Sequence, residues 1–460
     1  MSIDTRLNRP VLPAKLKARS VRSLQRPAPL RTKVPVMSIV GSGPEPGPIP
    51  DPRIITAMAK PVVGALQSIT PAAGKKGRLL WIGDAVVPTG FGTVTHSVLE
   101  HLAADWDVVV SGINYDGSPH LHSYTIIPAW QGGDMWGKDR FADVCAEFAP
   151  DAVIINNDWW NVADFVKQAP KGLPVIAYMP VDGANLNPGV VPWLNKLAAA
   201  VWYTEFGYQQ AVSAGFKGAR HVIPHGLNDR QFSPVNRALS RKLLELPVPE
   251  GAFIVGNVNR NQPRKRLDLT LQYFAAWVKQ GNVKDAFLLL HCARKDAGWD
   301  LESVARYYGI ADRVLFTGTD DLRNAVGLSS MQLVYSSMDV QVSTTLGEGW
   351  GLTTMEGMAC GIPQVVPDWA ALGEWATPAQ KVPCSTTIVH PEINTVGAIP
   401  DKAAFIATLD RLYRNPAQRN QLAEEGTAFV RQKRFCWSSV AKQMEEVVEG
   451  ARPVKPRRKG

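Results

Sequence analysis

Two glutamates eight residues apart, Glu348 and Glu356, stand in a run dense in glycine: Gly347-Glu348-Gly349-Trp350-Gly351-Leu352, then Glu356-Gly357-Met358-Ala359-Cys360-Gly361. Just upstream, Asp339-Val340-Gln341-Val342-Ser343 alternates polar and apolar residues as a half-buried strand does, and the glycine turn after it leads into a helix. A strand, a glycine turn and a helix start together make an anion cradle. The glycines let the backbone approach a ligand closely, and the first helical amides, near Trp350 to Leu352, carry partial positive charge toward a phosphate. With Glu348 at the mouth and Glu356 further along the helix, the two carboxylates can hold hydroxyls at two points of a phosphate-bearing ligand.

Other clusters suit the same chemistry. Asn259-Arg260-Asn261-Gln262-Pro263-Arg264-Lys265-Arg266 follows an apolar strand, and fixed cations there would meet the negative charge that builds on a departing diphosphate. The loop Gly83-Asp84-Ala85-Val86-Val87-Pro88-Thr89-Gly90-Phe91-Gly92-Thr93 has glycines for close approach and is expected to open a helix at Thr93. Tyr178-Met179-Pro180-Val181-Asp182-Gly183 ends another strand, where Asp182 could orient a hydroxyl or stabilise a cationic sugar carbon. Asn156-Asn157-Asp158-Trp159-Trp160 offers an acid, Asp158, and two adjacent indoles, Trp159 and Trp160, as a stacking platform for an acceptor.

The Glu348 to Glu356 string, its glycines and aromatic, and the closing Gly361-Ile362-Pro363-Gln364-Val365-Val366 strand resemble the E-x7-E signature of retaining glycosyltransferases of the GT-B fold, family 4. The resemblance implies that Glu348 contacts the transferred sugar and Glu356 the ribose, with Gly349, Trp350, Gly351 and Leu352 on the donor. It maps the family's Arg and Lys pair onto Arg260 and Lys265, although Arg266 stands where many relatives have glycine, which could slip the lysine by one. Gly90 and Gly92 fall in the family's glycine loop, and Asp182 where relatives place a histidine or an acid near the reacting carbon. It implies a metal-independent transfer with a nucleoside-diphosphate sugar as co-substrate and no cofactor. The one Asp-x-Asp string, Asp105-Trp106-Asp107, precedes a strand and so lies at the wrong end for a metal in the cleft. His225 fills a slot where relatives usually carry Asn and reads as structural, with His291 a weaker site candidate.

The elements that must position these residues alternate as strand and helix. Strands are expected at Leu79–Ile82, Val108–Val110, Val153–Ile155, Val175–Tyr178 and His221–Ile223, then at Phe253–Gly256, Phe287–Leu290, Val314–Phe316, Val340–Val342 and Gln364–Val366. This is an α/β chain of two Rossmann-like parallel-sheet domains facing across a cleft. We expect a basic Pro-rich arm over 1–76, an acceptor-side domain over 77–230, a linker over 231–250 and a nucleotide-sugar domain over 251–432. A returning helix over 433–450, with Trp437 to Val447 at its centre, and a basic tail over 451–460 complete the chain. Ile54, Met58, Val62 and Leu66 recur every fourth residue and would dock the arm as a short helix.

The formal charge of +9 is concentrated at the ends: residues 1–36 carry a net +8 and the last ten +5, leaving −4 for residues 37–450. Such arms would draw the protein to a polyanion, DNA, RNA or an anionic membrane. The acceptor is therefore expected to be a hydroxymethylated DNA base, or alternatively a polysaccharide or lipid. A non-catalytic sugar-nucleotide or polyanion binder of the same fold is the alternative to an enzyme. Five scattered cysteines without a C-x-x-C pair suggest neither disulfides nor zinc and fit a reducing cytoplasm, and no apolar run has the length of a membrane span.

Overall fold

Leu79, Leu80, Trp81 and Ile82 are all essentially inaccessible to solvent, as expected where helices cover both faces of a parallel sheet. They lie in β1 (Arg78–Asp84), followed by β2 (Asp107–Ile113), β3 (Thr125–Pro128), β4 (Ala152–Asn156), β5 (Val175–Met179), β6 (Ala199–Trp202) and β7 (His221–Val222). The computed structural model describes residues 74–130, 133–294, 296–318, 328–390 and 393–452, all within one compact unit, Pro52–Gly460. The expected docking helix over 54–66, the N-terminal arm before residue 74 and the tail beyond residue 452 lie outside the described residues.

The first sheet has the order β3-β2-β1-β4-β5-β6-β7 and every pairing is parallel. The second is built from β8 (Phe253–Val258), β9 (Ala286–His291), β10 (Val314–Phe316), β11 (Val340–Val342), β12 (Gln364–Pro367) and β13 (Gln380–Val382), also all parallel, in the order β10-β9-β8-β11-β12-β13. An antiparallel hairpin, β14 (Thr386–Val389) with β15 (Val396–Ile399), follows. The fold class is thus the expected one, two doubly wound α/β halves.

One apolar core fills each half, and another joins the halves through the last helix, Trp437–Ala451. Val440, Met444 and Val448 of that helix are buried in the cluster that contains Leu79 and Val98 of the first half. Lys76 pairs with Glu445 at 2.8 Å, and Trp106 Nε1 donates to the same carboxylate at 2.9 Å, so the chain crosses back to where it began.

Several local expectations are corrected. β3, β6, β13 and the hairpin were not anticipated, so Asp182 follows the fifth strand in chain order rather than the fourth. The helix after the first glycine loop starts at Gly90, not Thr93, because Thr89 caps it by accepting from Gly92 N at 3.0 Å. β11 is buried on both faces. Its polar flank Asp339 is tolerated because Arg237 and Arg241 each donate to it at 2.7 Å. Arg237 and Arg241 belong to a short helix, Arg237–Leu243, inside the stretch read as linker.

Candidate active site

In each sheet the strand order reverses once, between β1 and β4 and between β8 and β11. Open α/β sheets take ligands in the crevice outside the carboxyl ends at such a point. The loops after those four strands hold the Gly90 and Gly92 loop, Asp158, the Asn259 to Arg266 run and the Ser343 to Gly351 turn, and β5 adds Asp182. The topology therefore gathers the candidate residues at one cleft. Gly90 meets Leu352 across it, with 3.6 Å between Leu352 Cδ1 and the point a Cβ would occupy.

Four of these side chains form a chain of charges. Lys265 Nζ donates to both oxygens of Glu348, at 2.6 and 2.7 Å. Arg264 reaches the same carboxylate through Nη1 at 3.2 Å and pairs through Nε with Asp182 of the first half at 3.0 Å. Its Nη1 also donates to the Gly347 carbonyl. Burial pushes the Glu348 carboxyl up, but the charges of Lys265 and Arg264 outweigh it and hold the group below its usual range, ionised at neutral pH. Burial brings Lys265 down to about 8, opposed by Glu348.

The turn that aims these cations is fixed locally. Pro263 starts a one-turn 3-10 helix, Pro263–Lys265, where its missing N–H costs nothing. Arg266 then takes φ +50°, a left-handed conformation in which glycine is at ease. Its guanidinium turns away to Asp268, with Nε at 3.0 Å and Nη2 at 2.9 Å from the carboxylate. The lysine register therefore does not slip: Lys265, not Arg266, faces Glu348.

The glycines of the Glu348 turn do something other than expected. A Cβ on Gly347 would overlap the Asp182 carbonyl oxygen, and one on Gly349 would overlap Pro180. These two make room for the first half. Gly351 takes φ +94° at the start of the helix Leu352–Ala359, where an L side chain would be strained.

The aromatic expectations are also corrected. Trp350 is 5% exposed, its ring stacked on Trp375 at 4.7 Å between centroids and 5.6 Å from His225; its indole is part of the core. Trp159 is 2% exposed within the first half's core, and Trp160 is half-buried and packs edge-on to Trp136, so the two indoles do not form one open platform. His225 is structural as read. It is buried, bonded at Nδ1 to the Tyr178 hydroxyl at 2.8 Å, and pushed down to about 3 by burial. His291 bonds the Thr317 hydroxyl at 3.0 Å.

Asp158 stands at the N-cap position of the helix Trp159–Gln168, where its side chain makes no capping hydrogen bond. Burial and then the neighbouring Asp182 charge raise it to about 7, opposed by Arg264. Arg260 is fixed by Asp296, through Nε at 3.1 Å and Nη2 at 3.0 Å. Its charge also reaches Asp84, a buried carboxyl that burial raises and that accepts from Thr89 at 2.6 Å and Asn114 at 3.1 Å. Glu356 accepts from the Tyr335 hydroxyl at 2.6 Å, and burial raises its carboxyl to about 7.

Among the described residues no group of three His, Cys, Asp or Glu is arranged to hold a metal ion. Asp105 and Asp107 flank the amino end of β2, away from the carboxyl-end cleft.

Sequence reasoning passed over Arg264, Asp84 and Tyr335. Arg264 was visible as one of three consecutive basic residues after a proline, but nothing in the spacing says which of them turns inward. Asp84, the last residue of a buried strand, carried the ordinary signal of a strand-end acid. Tyr335 is 21 residues from its partner and had no signal at all.

Residues 250–415 match the family model of glycosyl transferases group 1. Over 237 residues the chain is 26% identical to a D-inositol 3-phosphate glycosyltransferase of Streptosporangium roseum, covering 51% of this chain and 50% of that protein. It is 30% identical over 218 residues to the lipopolysaccharide core biosynthesis mannosyltransferase LpsB of Rhizobium meliloti, covering 45% and 56% of the two chains. The chain thus spans about half the length of the curated relatives it matches. Among solved structures, sucrose-phosphate synthase from Thermosynechococcus elongatus superimposes with a TM-score of 0.64 at 20% identity, over 81% of this chain and 98% of that one. Anabaena HepE, solved with UDP and glucose, gives 0.61 at 14% identity over 81% and 99%. The protein has the GT-B fold, and its residues 250–415 match the glycosyl transferases group 1 family.

Proposed function

We propose that the protein is a retaining glycosyltransferase that moves a sugar from a nucleoside-diphosphate sugar, a UDP-sugar first among candidates, to an acceptor hydroxyl without a metal. The observation that carries this reading is the Lys265 and Glu348 pair at 2.6 Å, set at the switch point of a group 1 domain with Glu356 on the adjoining helix.

In this scheme Glu356 accepts a ribose hydroxyl and Glu348 a hydroxyl of the transferred sugar. Lys265 and Arg260 lie toward the diphosphate, where fixed cations stabilise charge that develops as it leaves. The acceptor oxygen bonds to the anomeric carbon on the face the diphosphate vacates. The bond from that carbon to the phosphate oxygen breaks, and the acceptor's proton passes to the departing phosphate. The ionised Glu348 favours positive charge on the sugar carbon at that moment, with Asp182 beside it.

For the acceptor, the printed activities of the relatives favour a hydroxyl of a polyol or carbohydrate. A hydroxymethylated base in DNA is a second reading, favoured by the net +8 and +5 of the terminal arms. A cytoplasmic setting is supported by the free cysteines, of which Cys145, Cys292 and Cys360 are buried. No helix among the described residues is long and apolar enough to cross a membrane. Release of nucleoside diphosphate from UDP, GDP and ADP sugars, with inositol phosphate, oligosaccharide, lipid and hydroxymethylated DNA acceptors, tests both parts. A chelator should leave turnover intact, and full inhibition by it would overturn the metal-free scheme.

A further inference from the structure

Arg264 is the one side chain among the described residues that ion-pairs with both Asp182 of the first half and Glu348 of the second. The loop bearing Asp182 is threaded into the second half by backbone. Gly347 lies against the Asp182 carbonyl and Gly349 against Pro180, while Ala184 and Val396 exchange two N–H to carbonyl bonds, both 2.9 Å. Those contacts bring the Asp182 backbone to the Glu348 turn but leave its carboxylate free to rotate. Two carboxylates at one site repel each other, and without a cation between them they would turn apart or share a proton. A planar guanidinium can bond two acceptors at a fixed angle, which an ammonium cannot. Lys265 already bonds both oxygens of Glu348, so Arg264 is not the sole cation facing Glu348.

We infer that Arg264 is a positioning residue that sets the Asp182 carboxylate of the first half against Glu348 of the second, so that transfer depends on it while nucleotide binding does not. This rests on the glycosyltransferase reading. A carboxylate displaced by about 1 Å can cost on the order of 10²-fold in rate. Arg264→Ala is thus expected to lower turnover about 10²-fold and to leave UDP affinity by calorimetry within about threefold, since it removes no group assigned to the nucleotide.

Two readouts separate positioning from mere structural support. Millimolar guanidinium should restore part of the turnover of Arg264→Ala and do nothing for Asp182→Asn. In a double-mutant cycle, adding Arg264→Ala to Asp182→Asn should cost at most about threefold more than the worse single change, because residues acting through one another are not additive. Losses that multiply, turnover of Arg264→Ala within threefold of wild type, or absence of guanidinium rescue would overturn the inference. Arg264→Lys, which keeps a charge, serves if the alanine variant does not fold.

If the wild type turns over no sugar nucleotide, the same cycle is read by urea unfolding. Coupling between Arg264 and Asp182 without turnover would defeat the activity reading alone. Absence of coupling would defeat the positioning role as well.

Discussion

The two glutamates that define the site sit in opposite electrostatic settings. Glu348 lies before the helix Leu352–Ala359, faced by Lys265 and Arg264, and is held ionised. Glu356 lies within that helix, faced by the neutral Tyr335 hydroxyl, and its carboxyl rises to about 7. One residue type, eight positions apart, therefore has two electrostatic states set by environment. On the proposed reading the Glu348 end is an ion cluster suited to stabilising charge as it develops. On the same reading Glu356 would hold a ribose hydroxyl, a contact expected to be equal in ground and transition states.

The contrast is broken most severely at the charged end. Glu348→Gln removes the anion facing two half-buried cations, and turnover is expected to fall about 10² to 10³-fold, the range seen when one preorganised electrostatic group is lost. Steady-state rates at saturating donor check this; a loss under tenfold would move Glu348 out of the reacting centre. Lys265→Ala should lower turnover somewhat less, about 10²-fold, with nucleotide affinity reduced further than in Arg264→Ala. Near-normal turnover at saturating donor would contradict a cation that acts on the leaving diphosphate.

At the other end, Glu356→Gln should weaken donor binding by roughly tenfold while leaving turnover at saturation nearly unchanged, the pattern of a uniform binding contact. Unchanged donor affinity would sink the ribose assignment. The pH dependence sharpens the same contrast. As pH rises through about 7, Glu356 loses its proton and donor kcat/KM should increase. Above about 8, Lys265 loses its charge and kcat/KM should fall. The profile is a narrow bell reporting the free protein, and Glu356→Gln should flatten its acid limb alone. An unchanged acid limb in that variant would assign it elsewhere, Asp158 being the other carboxyl near 7.

The smallest effect concerns the arms. Deleting residues 1–36 and 451–460 should leave donor hydrolysis unaltered, and should raise the apparent acceptor constant and flatten its salt dependence only if the acceptor is a polyanion. Indifference to both deletion and salt would retire the polyanion reading.

Much of this was legible in the sequence because long apolar strands and a glycine turn between two glutamates leave few alternatives. The strands that escaped notice are three or four residues long, but length alone did not hide them, since β7, β10, β11 and β12 are as short and were read; β11 reads as half-buried because its polar residues are paired inside. The site was less legible where a residue's meaning depends on what comes from the other half. Gly347 and Gly349 look like ligand clearance until Asp182 and Pro180 are seen against them. Trp350 and Trp159 look like binding aromatics until their burial is known. Of Arg264, Lys265 and Arg266, only the turn geometry decides that the first two face inward and the third caps its own helix.

The most direct test of the central claim is nucleoside-diphosphate release from a panel of UDP, GDP and ADP sugars by the wild type and by Glu348→Gln. The ion cluster at Glu348 predicts release from at least one donor by the wild type and a loss of about 10²-fold or more in the variant. No release from any donor in the presence of the acceptor panel, or equal release by both proteins, would contradict it.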